Sequence, residues 1–217
     1  MKVICITDHE LLPDEHITDK SYRDWKKPYL GAVHAMVSLH PEAVILREKL
    51  ISGIDYTDLF SAVKKQESPY GTTLIWHDHY EALMLFMKYH PKTEWPDGVF
   101  FSRREAGGLS IINLRNMKLR FGMTVHDVNE LADAKKEHTP FIFASNIFET
   151  SCKPGVKAKG LHFLKEVCAE FRNPVYALGG ITPENAASCL EAGAVGVAVR
   201  SLCMAEDLSK LGKLIEM

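Results

Sequence analysis

Eight short apolar runs recur along the chain, each followed by a longer stretch of helical spacing. This alternation restricts the fold more than any other feature. The runs are VICIT (3–7), AVIL (43–46), TTLIW (72–76), GVFF (98–101), LRFGMT (119–124), FIFA (141–144), VYAL (175–178) and GVAV (196–199). They are nearly all apolar instead of alternating, which is the pattern of parallel strands covered on both faces. Between them, Tyr56–Lys65 carries Leu59, Phe60 and Val63 on one face, and His79–Tyr89 carries Ala82, Leu83, Phe86 and Met87. Helices are also predicted over Asp127–Glu137, Gly160–Phe171, Thr182–Ala192 and Met204–Glu216. The fifth of these six has Thr182 as N-cap, Pro183 at the first helical position and Gly193 after its end.

Eight strand–helix units predict an α/β fold, a closed (β/α)8 TIM barrel forming one domain over 1–217. An open doubly wound sheet is the alternative, and it would need fewer strands at this length. Two spans fit less well: a polar loop over residues 9–24, and a short helical piece near Asn113–Asn116 after the fourth strand.

Composition narrows the function classes. With 26 basic and 28 acidic residues the formal charge is -2, so no nucleic-acid partner is expected. Five dispersed cysteines without a C-x-x-C pair read as reduced thiols of a cytoplasmic protein. No run reaches the ~18 apolar residues of a membrane helix, so no membrane partner is expected; a homo-oligomer is left open.

In a barrel of this kind the chemistry sits at the strand C-termini and the loops after them. Read there, the chain offers Asp8, Arg47 to Lys49, His77 to His79, Ser102 to Glu105, Thr124 with His126, Ser145 to Lys153, Gly179-Gly180 and Arg200-Ser201. The GGIT (179–182) and GVAVRS (196–201) stretches predict a phosphate site, because glycines admit a ligand to the backbone and helix N-termini attract anions. Plain tight turns are the alternative. Arg47 and Lys49, two apart on an extended segment, point the same way and suit a diphosphate or carboxylate. His77 and His79 would share a face if the strand continued, but too few further ligands exist for zinc. Asp78 facing Glu105 is the better pairing for magnesium. His126 is placed for acid–base work, and Cys152 could be activated by Lys153.

Together these segments resemble a known family. ITD (6–8), LREK (46–49), WHDH (76–79), DGVFF (97–101), GMTVH (122–126), NIFETSCKPG (146–155), LGGITPEN (178–185) and AGAVGVAVRS (192–201) occur in the order of the thiamine-phosphate synthase / TenI superfamily. The resemblance covers nearly the whole chain. It implies one of two activities. A thiamine-phosphate synthase joins hydroxymethylpyrimidine diphosphate to thiazole phosphate, with Mg2+ and release of diphosphate. A TenI-type thiazole tautomerase shifts a double bond and needs no cofactor.

The resemblance further implies diphosphate contacts at Arg47, Lys49, Thr124, Thr150 and Lys153. It implies thiazole-phosphate contacts at Gly179 and Gly180 and near Arg200 and Ser201. Asp78 and Glu105 are the metal candidates, and His126, Lys49 and Cys152 the catalytic ones. Several positions depart from the synthase pattern. Ile45 replaces a glutamine, His77 an asparagine, Ser102-Arg103 a Gly-Gln pair and Glu105 an aspartate, while FETSCK has TenI-type wording. These losses fall on the pyrimidine and metal side, so the sequence favours the tautomerase, with the synthase as alternative and a non-catalytic thiazole-phosphate-binding regulator as a further one.

Overall fold

A computed structural model describes residues 1–13, 21–102, 116, 119–150 and 155–217, with the side chain of Ser68 excepted. Eight parallel strands close into a barrel in chain order: β1 (Lys2–Ile6), β2 (Ala43–Leu46), β3 (Leu74–His77), β4 (Gly98–Phe100), β5 (Arg120–Val125), β6 (Phe141–Ser145), β7 (Val175–Leu178) and β8 (Gly196–Val199). β1 pairs with both β2 and β8, which closes the ring. The open-sheet alternative is thereby excluded.

Among the described residues, the helices are α1 (Tyr22–Val37), α2 (Gly53–Glu67), α3 (Tyr80–Tyr89), α4 (Leu131–Lys136), α5 (Gly160–Glu170), α6 (Ala186–Glu191) and α7 (Ser209–Glu216). The predicted piece at Asn113–Asn116 falls mostly outside the described residues.

The near-continuous apolar strands follow from burial on both faces. Alternate side chains point into the barrel, where Ile4, Ile6, Ile45, Ile75, Phe100, Phe141, Phe143 and Tyr176 form an inner cluster. The intervening residues, such as Val3, Cys5, Val44, Leu46 and Trp76, pack outward against the helices. Four aromatic rings inside so small a barrel need space from somewhere. Gly122 on β5 provides it: a Cβ there would lie 2.4 Å from the Phe141 ring and 2.8 Å from Phe100.

α1 shows why a polar segment can still be an element. Its buried residues Trp25, Tyr29, Val33, Met36 and Val37 make one stripe at helical spacing, with charges on the other face. Three helices begin later than the sequence predicts. α4 starts at Leu131 instead of Asp127, after a single 3-10 turn over Val128–Glu130 in which the Asp127 side chain accepts from the Asn129 N–H. α6 starts at Ala186, not Thr182, because the Asn185 side chain closes a turn by accepting from the Thr182 N–H at 2.8 Å and donating to the Gly180 carbonyl at 2.9 Å. α7 starts at Ser209 instead of Met204, after turns over Ser201–Cys203. Among the described residues no helix is long and apolar enough to cross a membrane.

Candidate active site at the strand C-termini

The strand ends surround a cavity of about 450 Å³. Its floor is the top of the barrel interior: Ile6, Ile45, Phe100, Phe143 and Leu178. Polar residues of the loops ring this floor, including Arg47, Lys49, Thr124, Thr150, Arg200 and Ser201. The size suits an organic ligand, since such sites run from about 300 to 1,000 Å³.

One wall is cationic and is built from β1, β2 and β8. Thr7, fully buried at the end of β1, accepts from the Tyr29 hydroxyl of α1 at 2.7 Å and from the Arg47 N–H at 2.9 Å. That junction fixes the direction of the LREK segment. Arg47 and Lys49 both line the cavity, as alternation on an extended segment requires. Glu48 turns the opposite way and is buried, accepting from His9 Nδ1 at 2.6 Å and from the His9 N–H at 3.1 Å. His9 stacks on Trp25 with ring centroids 4.4 Å apart. The hydrogen bond to Glu48 raises the His9 pKa above its ordinary value, against the opposing effect of burial.

Asp8 lies between these cations. Its Oδ2 is 2.6 Å from Arg47 Nη1 and 3.0 Å from Arg200 Nη1. Asp8, His9 and Glu48 bring potential ligand atoms within 4.8 Å of one another. An added metal cation there would compete with two guanidiniums for Asp8 and with His9 for Glu48, so we read Asp8 as an anchor for arginines and Glu48 as the partner of His9.

A second wall, after β7 and next to β8 in the ring, is a backbone cradle. Gly179 and Gly180 adopt φ of 100° and 65°, the left-handed region that glycine enters without strain. Gly180 has a second constraint, because a Cβ there would lie 2.2 Å from the Glu149 carbonyl oxygen. The loop after β6 thus packs tightly over the loop after β7, with the Phe148 N–H donating to the Gly179 carbonyl at 3.0 Å. Gly179, Gly180, Ile181 and Ser201 all line the cavity. The expectation that helix N-termini complete this cradle is not met. Neither α6 nor α7 contributes a residue to the cavity wall, since Asn185 and the turns after β8 delay both helices.

His126 lines the cavity, and its Nδ1 is 2.8 Å from the Ser145 carbonyl. A carbonyl only accepts, so Nδ1 carries a proton. His77 also lines the cavity, its ring stacked on Phe100 at 5.9 Å. Burial lowers its pKa to about 4, so the imidazole is neutral near pH 7.

The shared face expected for His77 and His79 does not form. Asp78 and His79 take φ of 52° and 49°, which breaks the strand direction. His79 turns away onto the Tyr56 ring, with its Nε2 at 2.8 Å from the Glu48 carbonyl. Asp78 is buried and sits beside the cavity wall; its Oδ1 accepts from the Ser102 N–H at 2.6 Å, and Oδ2 lies 3.2 Å from His77 Nδ1. That nitrogen makes no hydrogen bond, so Oδ2 keeps acceptor capacity on that side. Glu105, Cys152 and Lys153, and with them Arg103 and Arg104, lie outside the described residues. Sequence reasoning placed Asp8 on the rim but gave it no role. The signal was present, since it is the first charged residue after β1, the strand between the two that deliver Arg47 and Arg200.

The family model for thiamine monophosphate synthase matches residues 16–202. The chain belongs to the thiamine monophosphate synthase family. It is 26% identical over 200 residues to a thiamine-phosphate synthase of Clostridium acetobutylicum, covering 92% of this chain and 85% of that one. It is 28% identical over 198 residues to the thiamine-phosphate synthase of Chlamydia caviae, covering 91% and 84%. Within this family, the thiamine phosphate pyrophosphorylase structure of Pyrococcus furiosus superposes with a TM-score of 0.76 at 22% identity, over 99% of this chain and 92% of that one. A 3-hexulose-6-phosphate synthase structure shares the fold alone, with a TM-score of 0.65 at 15% identity. These family relatives connect the chain to thiamine biosynthesis, and their names favour the synthase alternative over the tautomerase.

Proposed function

We propose that the chain is a thiamine-phosphate synthase that joins hydroxymethylpyrimidine diphosphate to thiazole phosphate. One observation carries this reading: Arg47, Lys49 and Arg200 line a single cavity together with a glycine-rich backbone cradle. That arrangement supplies three cationic side chains beside a cradle, enough for a diphosphate next to a phosphate, whereas a thiazole phosphate carboxylate brings one carboxylate beside its phosphate. The names of the family relatives support the same reading.

In this mechanism the bond between the pyrimidine methylene carbon and the diphosphate oxygen breaks, and its electron pair leaves with diphosphate. The thiazole ring nitrogen forms the new bond to that carbon. Arg47 and Lys49 hold the diphosphate and offset the charge that develops as it departs. The amides around Gly180 and Ser201 hold the thiazole phosphate, so that both reactants stay oriented on the apolar floor. Magnesium is commonly bound by one or two carboxylates together with substrate phosphates. Asp78 Oδ2 fits as one hard oxygen ligand, with Glu105 the second candidate. When bound, the ion would neutralise leaving-group charge.

Two observations favour the tautomerase as a second reading. Ile45 occupies the floor with no hydrogen-bonding capacity for a pyrimidine, and His126, oriented by the Ser145 carbonyl, lines the cavity as a group able to move a proton. Purified protein given both substrates and magnesium decides the matter. The synthase reading predicts thiamine phosphate and diphosphate in equal amounts, lost with EDTA. No coupling over long incubation, with rapid isomerisation of thiazole phosphate carboxylate alone, would overturn it.

A further inference from the structure

We infer that Asp8 is a positioning residue that joins Arg47 and Arg200 into one clamp for a multiply charged oxyanion. Arg200 then serves the diphosphate end of the cavity, not the backbone cradle next to it in sequence. The name diphosphate rests on the synthase reading above; the clamp itself does not.

The topology produces the arrangement. β1 lies between β2 and β8 in the closed ring, and the residues following these three strands are Asp8, Arg47 and Arg200. Both guanidiniums approach the same atom, Asp8 Oδ2, at 2.6 and 3.0 Å, so their Nη1 atoms are at most 5.6 Å apart. Two cations held that close repel each other, the more so because their side chains are only 20% and 23% exposed. The Asp8 side chain, itself 6% exposed, offsets that repulsion. Each contact uses one terminal nitrogen and leaves other donors of a rigid planar fork to point into the cavity. Lys49 lines the same cavity. Four charges, three positive and one negative, leave the wall with an excess of two positive charges, which suits a diphosphate better than a monoanion.

The sign of one measurement separates positioning from simple electrostatics. A carboxylate with no positioning role would repel the ligand, so Asp8→Asn would tighten anion binding. A carboxylate that holds the guanidiniums in place gives the opposite result.

The test is calorimetric titration of the intact protein with inorganic pyrophosphate, with thermal melting to confirm folding. Arg200→Ala is expected to weaken binding by about tenfold or more, the scale of one charge-assisted hydrogen bond. Asp8→Asn is expected to weaken it by about threefold or more, and Asp8→Glu to restore part of that loss. On an Arg47→Ala/Arg200→Ala background, Asp8→Asn should no longer weaken binding and should tighten it slightly, because only the carboxylate's repulsion of the ligand is left to remove. Tighter binding in Asp8→Asn with both arginines present, or a loss that persists without the two arginines, overturns the inference. Should Asp8→Asn not fold, Arg200→Lys decides: it keeps the charge but cannot fork, so weakened binding supports the clamp and unchanged binding contradicts it. The coupling assay run alongside keeps the two claims apart. Clamp behaviour without coupling refutes only the synthase reading, while coupling with pyrophosphate binding indifferent to Asp8 and Arg200 refutes only the clamp.

Discussion

Thr7, Asp8 and His9 are consecutive, yet each faces a different environment. Thr7 is sealed under α1, Asp8 turns toward the cavity wall and His9 packs between Trp25 and Glu48. His9 gives the molecule a pH-dependent component of stability. Its folded pKa lies above the 6.5 of the free group, so the stabilisation is complete below about pH 6.5 and is lost as pH rises through the raised value. Asp8 and Glu10 act in the same direction as Glu48. Melting curves of the protein and of His9→Gln should therefore differ most under mildly acidic conditions and converge as the solution becomes alkaline. A constant difference would remove the pair from that role. Gly180 makes a different demand. Gly180→Ala puts a Cβ against the Glu149 carbonyl in a left-handed conformation, at a cost of about 1–3 kcal/mol in strain alone. The expected outcome is a lower melting temperature and a KM for thiazole phosphate raised by about tenfold or more, with the KM for the diphosphate substrate changed less.

At the scale of elements, the loops after the strands separate the two activities proposed for this chain. The loop after β5 supplies His126, and the loop after β2 supplies Arg47 and Lys49. For a synthase, His126→Ala should leave coupling within about tenfold, because the chemistry is loss of diphosphate and not proton transfer. Arg47→Ala should raise the KM for the diphosphate substrate by about ten- to a hundredfold. The reverse ranking in steady-state assays would favour the tautomerase.

The sequence made some of these loops readable and hid others for physical reasons. LREK stays extended, so alternation correctly places Arg47 and Lys49 on the cavity and Glu48 away from it. HDH does not, because two successive left-handed residues redirect His79 onto Tyr56, and nothing in the residue types requires that turn. Thr182 and Pro183 look like a helix start, but Asn185 spends its side chain closing a turn and the helix begins after it. Asp8 is plain on the rim, yet its partnership with Arg200 depends on ring closure between residues far apart in the chain.

For the whole molecule, barrel closure is what makes one cavity out of dispersed motifs. It brings the end of β8 beside β1 and so puts Arg200 next to Asp8, while β7, on the other side of β8, brings the glycines to the same cavity. The eight apolar runs alone were enough to expect this architecture, because parallel strands covered on both faces leave few other arrangements. The residue-level consequence is a cavity in which three cationic side chains and a glycine cradle meet over an apolar floor, proposed above to hold two anions. The most direct test is a competition titration: the protein is first saturated with inorganic pyrophosphate and then titrated with thiazole phosphate. Two separate sites predict that thiazole phosphate still binds, with an affinity within about threefold of that for the unsaturated protein. Mutual exclusion of the two ligands would contradict the account, because a single anion site cannot serve a reaction between two phosphorylated substrates.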